Sequence, residues 1–209
     1  GPGCASCSET NVRYGYDARG HLLGVTRLDA TGRALAATII ERDALGRVVR
    51  ESIRLHAGGK AMPARVLVRY EYADDGARPV LVARPSVVRG REHQLRYSFN
   101  KAGQITHLTE RGFSPLDPSG APAANADEAT PIERTSTFTY ATVNGHSLLA
   151  AIDGPLKNGP GASPADSDIA VFEWDPHGSH VIALTKPGGS HHALEYHPLT
   201  GLLQRVSND

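Results

Sequence analysis

The sequence predicts an all-β protein in which consecutive antiparallel β-hairpins form a curved, spiralling sheet. Three observations support this: a recurring pattern of aromatics, turn and glycine, alternating β-branched segments after the glycines, and the lack of a convincing helical period. The 209 residues are enough for one domain with its own core. We expect an N-terminal segment over residues 1–11 and one repeat domain over residues 12–209.

The repeated pattern has two aromatic residues separated by one residue, then Asp or Asn, then Gly three residues later. Its defining positions in the four clearest copies are Tyr14, Tyr16, Asp17 and Gly20; Tyr97, Phe99, Asn100 and Gly103; Phe172, Trp174, Asp175 and Gly178; and Tyr196 and Gly201. The seven glycines of the full set are Gly20, Gly46, Gly76, Gly103, Gly145, Gly178 and Gly201. All aromatic residues of the chain except Phe113 lie at the aromatic positions of this pattern. The copy at Asp43 keeps the turn and loses the aromatics.

Each part of the pattern has a structural reason. Aromatics two positions apart lie on the same face of a strand, because side chains alternate with a period of two. Asp or Asn at the first turn position bonds its own following backbone, and Gly at the fourth position is typical of a type I turn. We therefore expect Asp17, Asn100 and Asp175 to preset turns. Because isolated hairpins are marginally stable, Trp174 and its equivalents Tyr16, Phe99 and Tyr196 are expected to pack adjacent hairpins.

Two stretches interrupt the repeats. Residues 114–133 and 153–168 are rich in Pro, Ala, Ser and Gly and show no periodicity, so we expect loop inserts there. Repeats continue on both sides of each stretch, and the sequence therefore favours a single domain.

Composition excludes several classes of function. The 22 basic and 22 acidic residues cancel, which argues against a general nucleic-acid binder. No run of about 18 apolar residues predicts a membrane span, and no signal peptide is visible. Cys4 and Cys7 form the one C-x-x-C, which we interpret as a terminal thiol pair, free or locally oxidised, rather than a metal or redox site. No cofactor is predicted.

The residues that could carry chemistry are few. Five histidines lie between His177 and His197, and adjacent hairpins could bring His180, His191 and His197 together around a zinc, copper or nickel ion. We favour exposed or core-filling roles for them. The sequence has no nucleophile elbow and no phosphate-binding loop, and the turn position of the repeated aspartates favours a structural role. We therefore predict that the chain is not an enzyme.

The motif Y-x-Y-D-x-x-G-x-L/V, which residues 14–26 match best, resembles the YD repeat, also called the RHS repeat. In that family, strips of hairpins form hollow shells in bacterial Rhs polymorphic toxins, insecticidal toxin complexes and teneurins. The resemblance implies a non-catalytic shell or scaffold segment of a secreted or cell-surface bacterial protein. It implies as partners the rest of a longer YD-repeat chain, or self-association through sheet edges, and an enclosed toxin or adhesion element.

Two further hypotheses belong to other classes. The repeated aromatics could form a carbohydrate- or surface-binding module, which requires their rings to be exposed to solvent. The C-terminal histidines could instead serve a small metal-dependent enzyme.

Overall fold

The computed structural model describes residues 11–73, 76–156 and 168–208, and this part of the chain is all-β, as predicted. Cys4 and Cys7 lie outside the described residues, as does most of the insert expected near 153–168. The described residues contain no helix with the length and hydropathy needed to cross a membrane.

Fifteen strands account for most of the described chain. They are β1 (Asn11–Tyr16), β2 (Leu22–Leu28), β3 (Ala34–Arg42), β4 (Val48–Ala57), β5 (Lys60–Ala61), β6 (Arg65–Tyr72), β7 (Pro79–Pro85), β8 (Glu92–Phe99), β9 (Ile105–Phe113), β10 (Pro131–Val143), β11 (His146–Asp153), β12 (Ile169–Trp174), β13 (Val181–Thr185), β14 (His191–Tyr196) and β15 (Leu203–Asn208). Each strand follows its sequence neighbour in the sheet, except that the short β5 pairs with β4 alone and the path continues from β4 to β6. The order is that of a meander of hairpins, and its first and last strands are β1 and β15.

The hairpin turns lie at the predicted glycines. In the first hairpin the Gly20 amide donates to the Asp17 carbonyl (3.1 Å), and the Asp17 amide donates to the His21 carbonyl (2.9 Å). Gly20 has φ 85°. A three-residue loop with a glycine in the left-handed region fits these bonds and matches the right-handed twist of the strands. The β10–β11 hairpin instead uses Asn144 and Gly145, both with positive φ, in a two-residue loop.

A β-bulge precedes the turn in six of the hairpins. The pairing register shifts at Gly15/Tyr16, Glu41/Arg42, Glu71/Tyr72, Thr139/Tyr140, Glu173/Trp174 and Glu195/Tyr196. The second residue of each step ends its outgoing strand, except Tyr140, after which β10 continues for three residues. A bulge bends the strand and redirects the side chain that follows it. The second aromatic position of the repeat is therefore the position that the bulge redirects.

The chain divides into two compact units. The first comprises residues 1–96 and 111–132, and the second comprises residues 97–110 and 133–209. Burial is deepest in the first unit, where Leu81 and Ala83 of β7 are 0% and 1% exposed. The second unit has Ala183 of β13 as its buried hydrophobic residue within the described range. Most other sheet residues are half-buried or exposed.

The insert predicted near 114–133 joins β9 to β10 and packs within the first unit. Arg91, in the β7–β8 connection, donates to Asp127 of the insert (2.6 Å), and its guanidinium lies 5.1 Å from the centre of the Phe113 ring. Ala129 of the insert is 6% exposed. The insert therefore contributes buried surface to the first unit.

Candidate functional site at the hairpin turns

The carboxylate or amide that opens each repeat turn accepts hydrogen bonds from the turn backbone. Asp17 Oδ1 accepts from the amides of Arg19 and His21, at 2.8 Å each. Asn100 Oδ1 accepts in the same way from Ala102 and Gln104, at 3.0 Å each. These side chains satisfy backbone donors of their own turns, which favours the turn conformation.

These bonds lower the pKa values of the turn aspartates. The His21 amide is the main cause for Asp17, and the Ser179 amide is the main cause for Asp175. For Asp43, desolvation raises the pKa, but bonds from the side chain and backbone of Arg47 outweigh it and the net shift is downward. A carboxylate that is held ionised by turn amides is poorly suited to act as a general acid or base near neutral pH.

The residue after the turn glycine bonds back to the carboxylate or amide of its own turn. The pairs are His21 Nδ1 with Asp17 Oδ2 (3.0 Å), Arg47 Nε with Asp43 Oδ2 (2.7 Å) and Gln104 Oε1 with Asn100 Nδ2 (2.9 Å). In the longer turn of the sixth hairpin, His180 Nδ1 lies 3.6 Å from Asp175 Oδ2. We call this the turn-exit position.

Side chains at the turn-exit position also reach the turn of the next hairpin. Arg47 Nη1 donates to the Gly76 carbonyl (2.6 Å), and Gln104 Nε2 donates to the Ser147 carbonyl (2.9 Å). The His21 ring lies against Gly46, where an added Cβ would be 3.0 Å from its Cε1 atom. The turn-exit side chains therefore connect one turn to the next along the sheet.

The His180 ring makes two such contacts in the second unit. It lies against Gly201, where a Cβ would be 3.2 Å from its Nε2 atom, and 4.4 Å from the centre of the Tyr196 ring. The contact of Arg47 with the Tyr72 ring, at 4.5 Å, is the corresponding cation–π arrangement in the first unit.

A second link between hairpins runs through the residue that the bulge redirects, which we call the donor position. Its side chain donates to a backbone carbonyl of the preceding hairpin. The bonds are Arg42 to Leu22 (3.2 Å from Nη2), Tyr72 to Val48 (2.9 Å), Tyr140 to Ile105 (2.8 Å), Trp174 to Leu149 (2.8 Å) and Tyr196 to Val181 (2.9 Å). Tyrosine, tryptophan and arginine share a long side chain with a terminal donor, and they fill the same role here.

The acceptor follows a fixed rule. The accepting residue is the one that pairs with the donor position of its own hairpin, as Leu22 pairs with Tyr16 and Val48 pairs with Arg42. Leu149 pairs likewise with Tyr140. In these hairpins the acceptor therefore lies directly opposite the donor position of the preceding hairpin. The β8–β9 hairpin has Phe99 at its donor position, and this side chain has no group that can donate.

The register between successive hairpins is also fixed. The return strand of one hairpin pairs with the outgoing strand of the next in a constant register. The residue two positions after the accepting residue on the return strand lies opposite the residue three positions before the donor position on the outgoing strand. This holds for Gly24 with Ile39, Arg50 with Arg69, Leu81 with Arg96, Ala151 with Val171 and Ala183 with Ala193.

Arg42 was not among the predicted residues, because the copy at Asp43 lacks the aromatics of the pattern. Arg42 nevertheless stands directly before the turn aspartate, as Tyr16 and Trp174 do. The signal that could have found it is this position together with a side chain that can donate. An aromatic pattern alone misses it.

The predicted aromatic residues differ in exposure. Tyr14 and Tyr16 on the first strand are 57% and 60% exposed, whereas Trp174 and Tyr196 are half-buried. Tyr97 and Phe99 stack with ring centres 6.3 Å apart, and Phe172 is half-buried. The Tyr16 hydroxyl has no hydrogen-bond partner within the described part of the chain, unlike the donors of later hairpins.

The predicted turn glycines have the backbone conformation that the turns require. Gly103, Gly178 and Gly201 have φ of 76°, 72° and 67°. A left-handed residue costs little only when it lacks a Cβ, so these positions restrict substitution.

The three histidines considered for a metal ion have other contacts. His180 packs between its own turn and Tyr196, as described above, and His197 Nδ1 accepts from the amides of Leu199 and Thr200 (3.3 Å each). His191 begins β14, where it pairs with Thr185. Within residues 11–73, 76–156 and 168–208, no group of three or more His, Cys, Asp or Glu side chains is placed to bind one metal ion.

Two shallow clefts lie near the first two hairpins. One, of 670 Å³, lies between the first two repeat turns and is lined by Asp17, His21, Arg42 and Asp43 among others. The other, of 290 Å³, lies beside Tyr14 over the small residues Gly15 and Gly24. The polar groups of the first cleft are those already engaged in turn and inter-hairpin bonds.

Comparison with known proteins gives similarity to solved structures only. No protein-family model matches the sequence, and no curated protein matches it. A crystal structure of TcdB2-TccC3 is similar to this chain, with a TM-score of 0.41 and 18% identity over 94% of this chain. The structure of the Photorhabdus luminescens Tc holotoxin pore is similar with a TM-score of 0.36 and 15% identity over 95% of this chain. A porin-like protein from Bacteroides uniformis has a TM-score of 0.22 and 9% identity, with 95% of this chain and 96% of that protein covered. The chain spans 11% of the TcdB2-TccC3 chain and 12% of the holotoxin chain.

Proposed function

We propose that this chain is a non-catalytic structural segment, a strip of YD-type hairpins that forms part of the wall of a shell or scaffold. The observation that carries the proposal is the repeated inter-hairpin hydrogen bond. The best side-chain donors of successive hairpins, from Arg42 to Tyr196, are used to fix each hairpin to the one before it. They are spread along the sheet and do not converge on a site.

The ionisable groups at the turns support a structural role. Backbone amides of their own turns hold the pKa values of Asp17 and Asp175 below the usual range. For Asp43, desolvation raises the pKa, but bonds from the side chain and backbone of Arg47 outweigh it and lower the pKa overall. Arg69 is similarly engaged, with bonds to Glu71 and Glu92. Groups that are committed to neighbouring protein atoms are not available to polarise or attack a substrate.

The finer part of the proposal is that the wall belongs to a secreted or surface bacterial protein, where it encloses or presents a toxin or adhesion element. This part rests on the resemblance of the repeats, at Tyr14–Thr26 above all, to the YD family. An all-β strip that uses its side chains to join hairpins is suited to enclosing another polypeptide segment.

The test uses the native protein, isolated from its source cells with an antibody raised against residues 11–208. A shell wall predicts a polypeptide many times larger than 22 kDa, with a segment that resists protease until the wall is denatured. A native polypeptide near 22 kDa with no enclosed segment would contradict the shell. Turnover of any substrate that is lost on substitution of a turn aspartate would contradict the non-catalytic role.

A carbohydrate- or surface-binding role is the second candidate, and the exposure of Tyr14 and Tyr16 favours it. Trp174 argues against a general aromatic platform, because its indole N–H donates to the Leu149 carbonyl and its ring is half-buried. If the aromatics bind glycans, Tyr14→Ala should abolish binding on a glycan array while Trp174 fluorescence remains unchanged by the ligand. Equal array signals for the native chain and Tyr14→Ala would remove this candidate.

A further inference from the structure

The turn between β14 and β15 begins with a histidine, where the other clear copies of the repeat have Asp or Asn. His197 directly follows the donor residue Tyr196, just as Asp175 follows Trp174. The backbone closes this turn as it closes the others, because the His197 amide donates to the Leu202 carbonyl (2.8 Å). His197 therefore takes the structural place of the turn carboxylate.

The imidazole ring also takes over the hydrogen bonds of that carboxylate. Its Nδ1 atom accepts from the amides of Leu199 and Thr200, at 3.3 Å each. A neutral imidazole has one bare nitrogen that can accept, while its other nitrogen carries the proton. These two bonds therefore require His197 to be neutral, with its proton on Nε2.

Protonation of this ring removes the acceptor. Both nitrogens of an imidazolium carry a hydrogen and donate, so Nδ1 can no longer accept from the two amides. Histidine is the side chain that ordinarily changes its charge between about pH 5 and 8. The other clear turns begin with Asn100, whose amide does not titrate, or with Asp17 and Asp175, whose pKa values are lowered chiefly by turn amides. Mild acid therefore acts on the turn that begins with His197 and leaves the acceptors of those turns in place.

We infer that the turn over residues 197–202 is an acid-sensitive element of the sheet, closed while His197 is neutral and opened when its ring is protonated. On protonation, the amides of Leu199 and Thr200 exchange their imidazole acceptor for water. The inference describes how the strip of hairpins responds to pH. It goes beyond the proposed function, and it holds whatever the strip encloses.

The acid-sensitive turn is also the turn that the preceding hairpin contacts. His180, at the turn-exit position of the sixth hairpin, lies against Gly201, where an added Cβ would be 3.2 Å from its Nε2 atom. Its ring centre lies 4.4 Å from that of Tyr196, whose hydroxyl donates to the Val181 carbonyl (2.9 Å). A rearrangement of residues 197–202 therefore changes the contact between the sixth and seventh turns. The Tyr196 bond, which belongs to the strand before the turn, remains.

The charged groups near this turn respond differently to acid. In the sixth turn, His180 Nδ1 lies 3.6 Å from Asp175 Oδ2, so protonation of His180 creates an attraction and breaks no bond of this kind. His177 of the same turn is exposed. On the hairpin of the acid-sensitive turn, Glu195 lies 3.7 Å from Arg205, and both side chains are more than half exposed, so water screens this pair.

Other histidines share the pH interval of His197. His191 and His192 begin β14, at the opposite end of this strand from the turn. A global measure of stability in acid would add the effects of all these rings. The effect of His197 must therefore be measured at the amides of Leu199 and Thr200, which its ring accepts from.

The experiment is nuclear magnetic resonance on the full ¹⁵N-labelled chain. Imidazole spectra at about pH 8 should show the proton of His197 on Nε2 and a bare Nδ1. Amide hydrogen exchange, corrected for its intrinsic pH dependence, should show that the protection of Leu199 and Thr200 falls about two- to tenfold between neutral pH and about pH 5.5. The two amides that Asn100 Oδ1 accepts from are the internal control, and their protection should not change.

His197→Asn is the matched variant, because an amide oxygen accepts from two turn amides, as Asn100 shows, and does not titrate. In this variant, the protection of Leu199 and Thr200 should be the same at both pH values. His197→Ala has no acceptor, so it should show at neutral pH the low protection that the native chain shows in acid. His180→Gln removes the neighbouring titrating ring and should leave the acid response in place, since glutamine is the turn-exit residue of the fourth hairpin.

Three results would each overturn the inference. They are a proton on Nδ1 of His197 at about pH 8, equal protection of Leu199 and Thr200 at the two pH values, and an acid response that persists in His197→Asn. The first two are measured on the native chain, so they do not depend on the folding of any variant. None of the three would alter the bonds between hairpins, so the proposed function would be unaffected.

Discussion

The turns that close each hairpin and the connections that join successive hairpins use similar local chemistry, but their longer-range contacts differ. Asp17 in a hairpin turn and Asp29 in the β2–β3 connection both accept hydrogen bonds from the amides two and four residues later. Gly32, like Gly20, has positive φ. By these local criteria the two kinds of turn are equivalent.

They differ in what lies beyond the turn. His21, after the first hairpin turn, reaches Gly46 in the next one, and Arg47 reaches Gly76. Arg33, at the same place after the Asp29 turn, is exposed, and nothing lies within 4 Å of the Cβ position of Gly32. The comparison indicates that turn sequence specifies the local loop, while the turn-exit residue gives a hairpin turn its role in joining hairpins.

The connections vary in length more than the hairpin turns, which range from two residues between β10 and β11 to six between β12 and β13. The β2–β3 connection needs a four-residue turn, whereas residues 114–130 separate β9 from β10. A hairpin turn that contacts the next turn can lengthen only as far as that contact allows, as in the six-residue turn of the sixth hairpin, where His180 still lies against Gly201. A connection without such a contact can accept inserts, since longer loops add little closure entropy.

The largest difference is expected for glycine substitution. Gly46→Ala should lower the free energy of unfolding by about 2–3 kcal/mol, because it strains a left-handed residue and displaces the His21 ring, which Asp17 holds in place. Gly32→Ala should cost about 1–2 kcal/mol, from strain alone. Urea denaturation measures both. Equal losses would show that the contact between turns adds no stability.

Removal of a turn-exit side chain should have the next largest effect. Arg47→Ala loses the bond to the Gly76 carbonyl and the contact with the Tyr72 ring, and we expect a loss of about 2 kcal/mol. Arg33→Ala is the matched control and should change stability by less than about 0.5 kcal/mol. Thermal unfolding followed by circular dichroism suffices, and similar melting temperatures for the two variants would contradict the distinction between the two kinds of turn.

Local chemistry explains what the sequence predicts well. The all-β class and the hairpins at Gly20, Gly103 and Gly178 follow from residue types within a few positions of one another. The turn at Asp29 was not predicted, although its Asp-x-x-Gly matches that of the Asp43 copy, which was recognised without its aromatics. Local patterns therefore identify turns, and the flanking aromatics only help to detect them.

The contacts between hairpins could not be read in the same way. The Arg42 bond to the Leu22 carbonyl spans 20 residues, and the Tyr140 bond to Ile105 spans 35. Such bonds depend on the bulge before the donor, which shifts the register and has no clear sequence signature. Placement directly before a turn aspartate could have found Arg42 and Trp174, but not Tyr72, Tyr140 or Tyr196, which precede Ala73, Ala141 and His197.

A smaller effect is expected for one inter-hairpin hydrogen bond. Tyr140→Phe keeps the ring and removes the donor to the Ile105 carbonyl, so we expect a loss of about 0.5–1.5 kcal/mol. Tyr97→Phe is the control, because its hydroxyl has no hydrogen-bond partner within the described residues, and it should be close to neutral. Denaturant midpoints at constant slope measure the difference. A neutral Tyr140→Phe would mean that ring packing, and not the bond, holds these hairpins together.

The smallest difference between hairpin turns and connections should appear on acidification, because both kinds of turn use the same carboxylate bonds. The pKa of Asp29 is lowered chiefly by the Arg33 amide, and that of Asp17 chiefly by the His21 amide. A carboxyl whose folded pKa lies below its unfolded value contributes stability above the unfolded pKa, near 4, and that contribution is lost as pH falls through the folded pKa. The melting temperature should therefore be insensitive to these groups above about pH 5, and it should decrease when the pH is lowered below about 4.

Asp29→Asn and Asp17→Asn should each reduce the acid dependence of the melting temperature by a similar amount, since Asn100 shows that an amide oxygen accepts the same two bonds. A clearly larger change for Asp17→Asn in unfolding curves between pH 2 and 7 would show that the turn-exit residue His21 also contributes through charge, and the two kinds of turn would then differ in electrostatics as well as in reach.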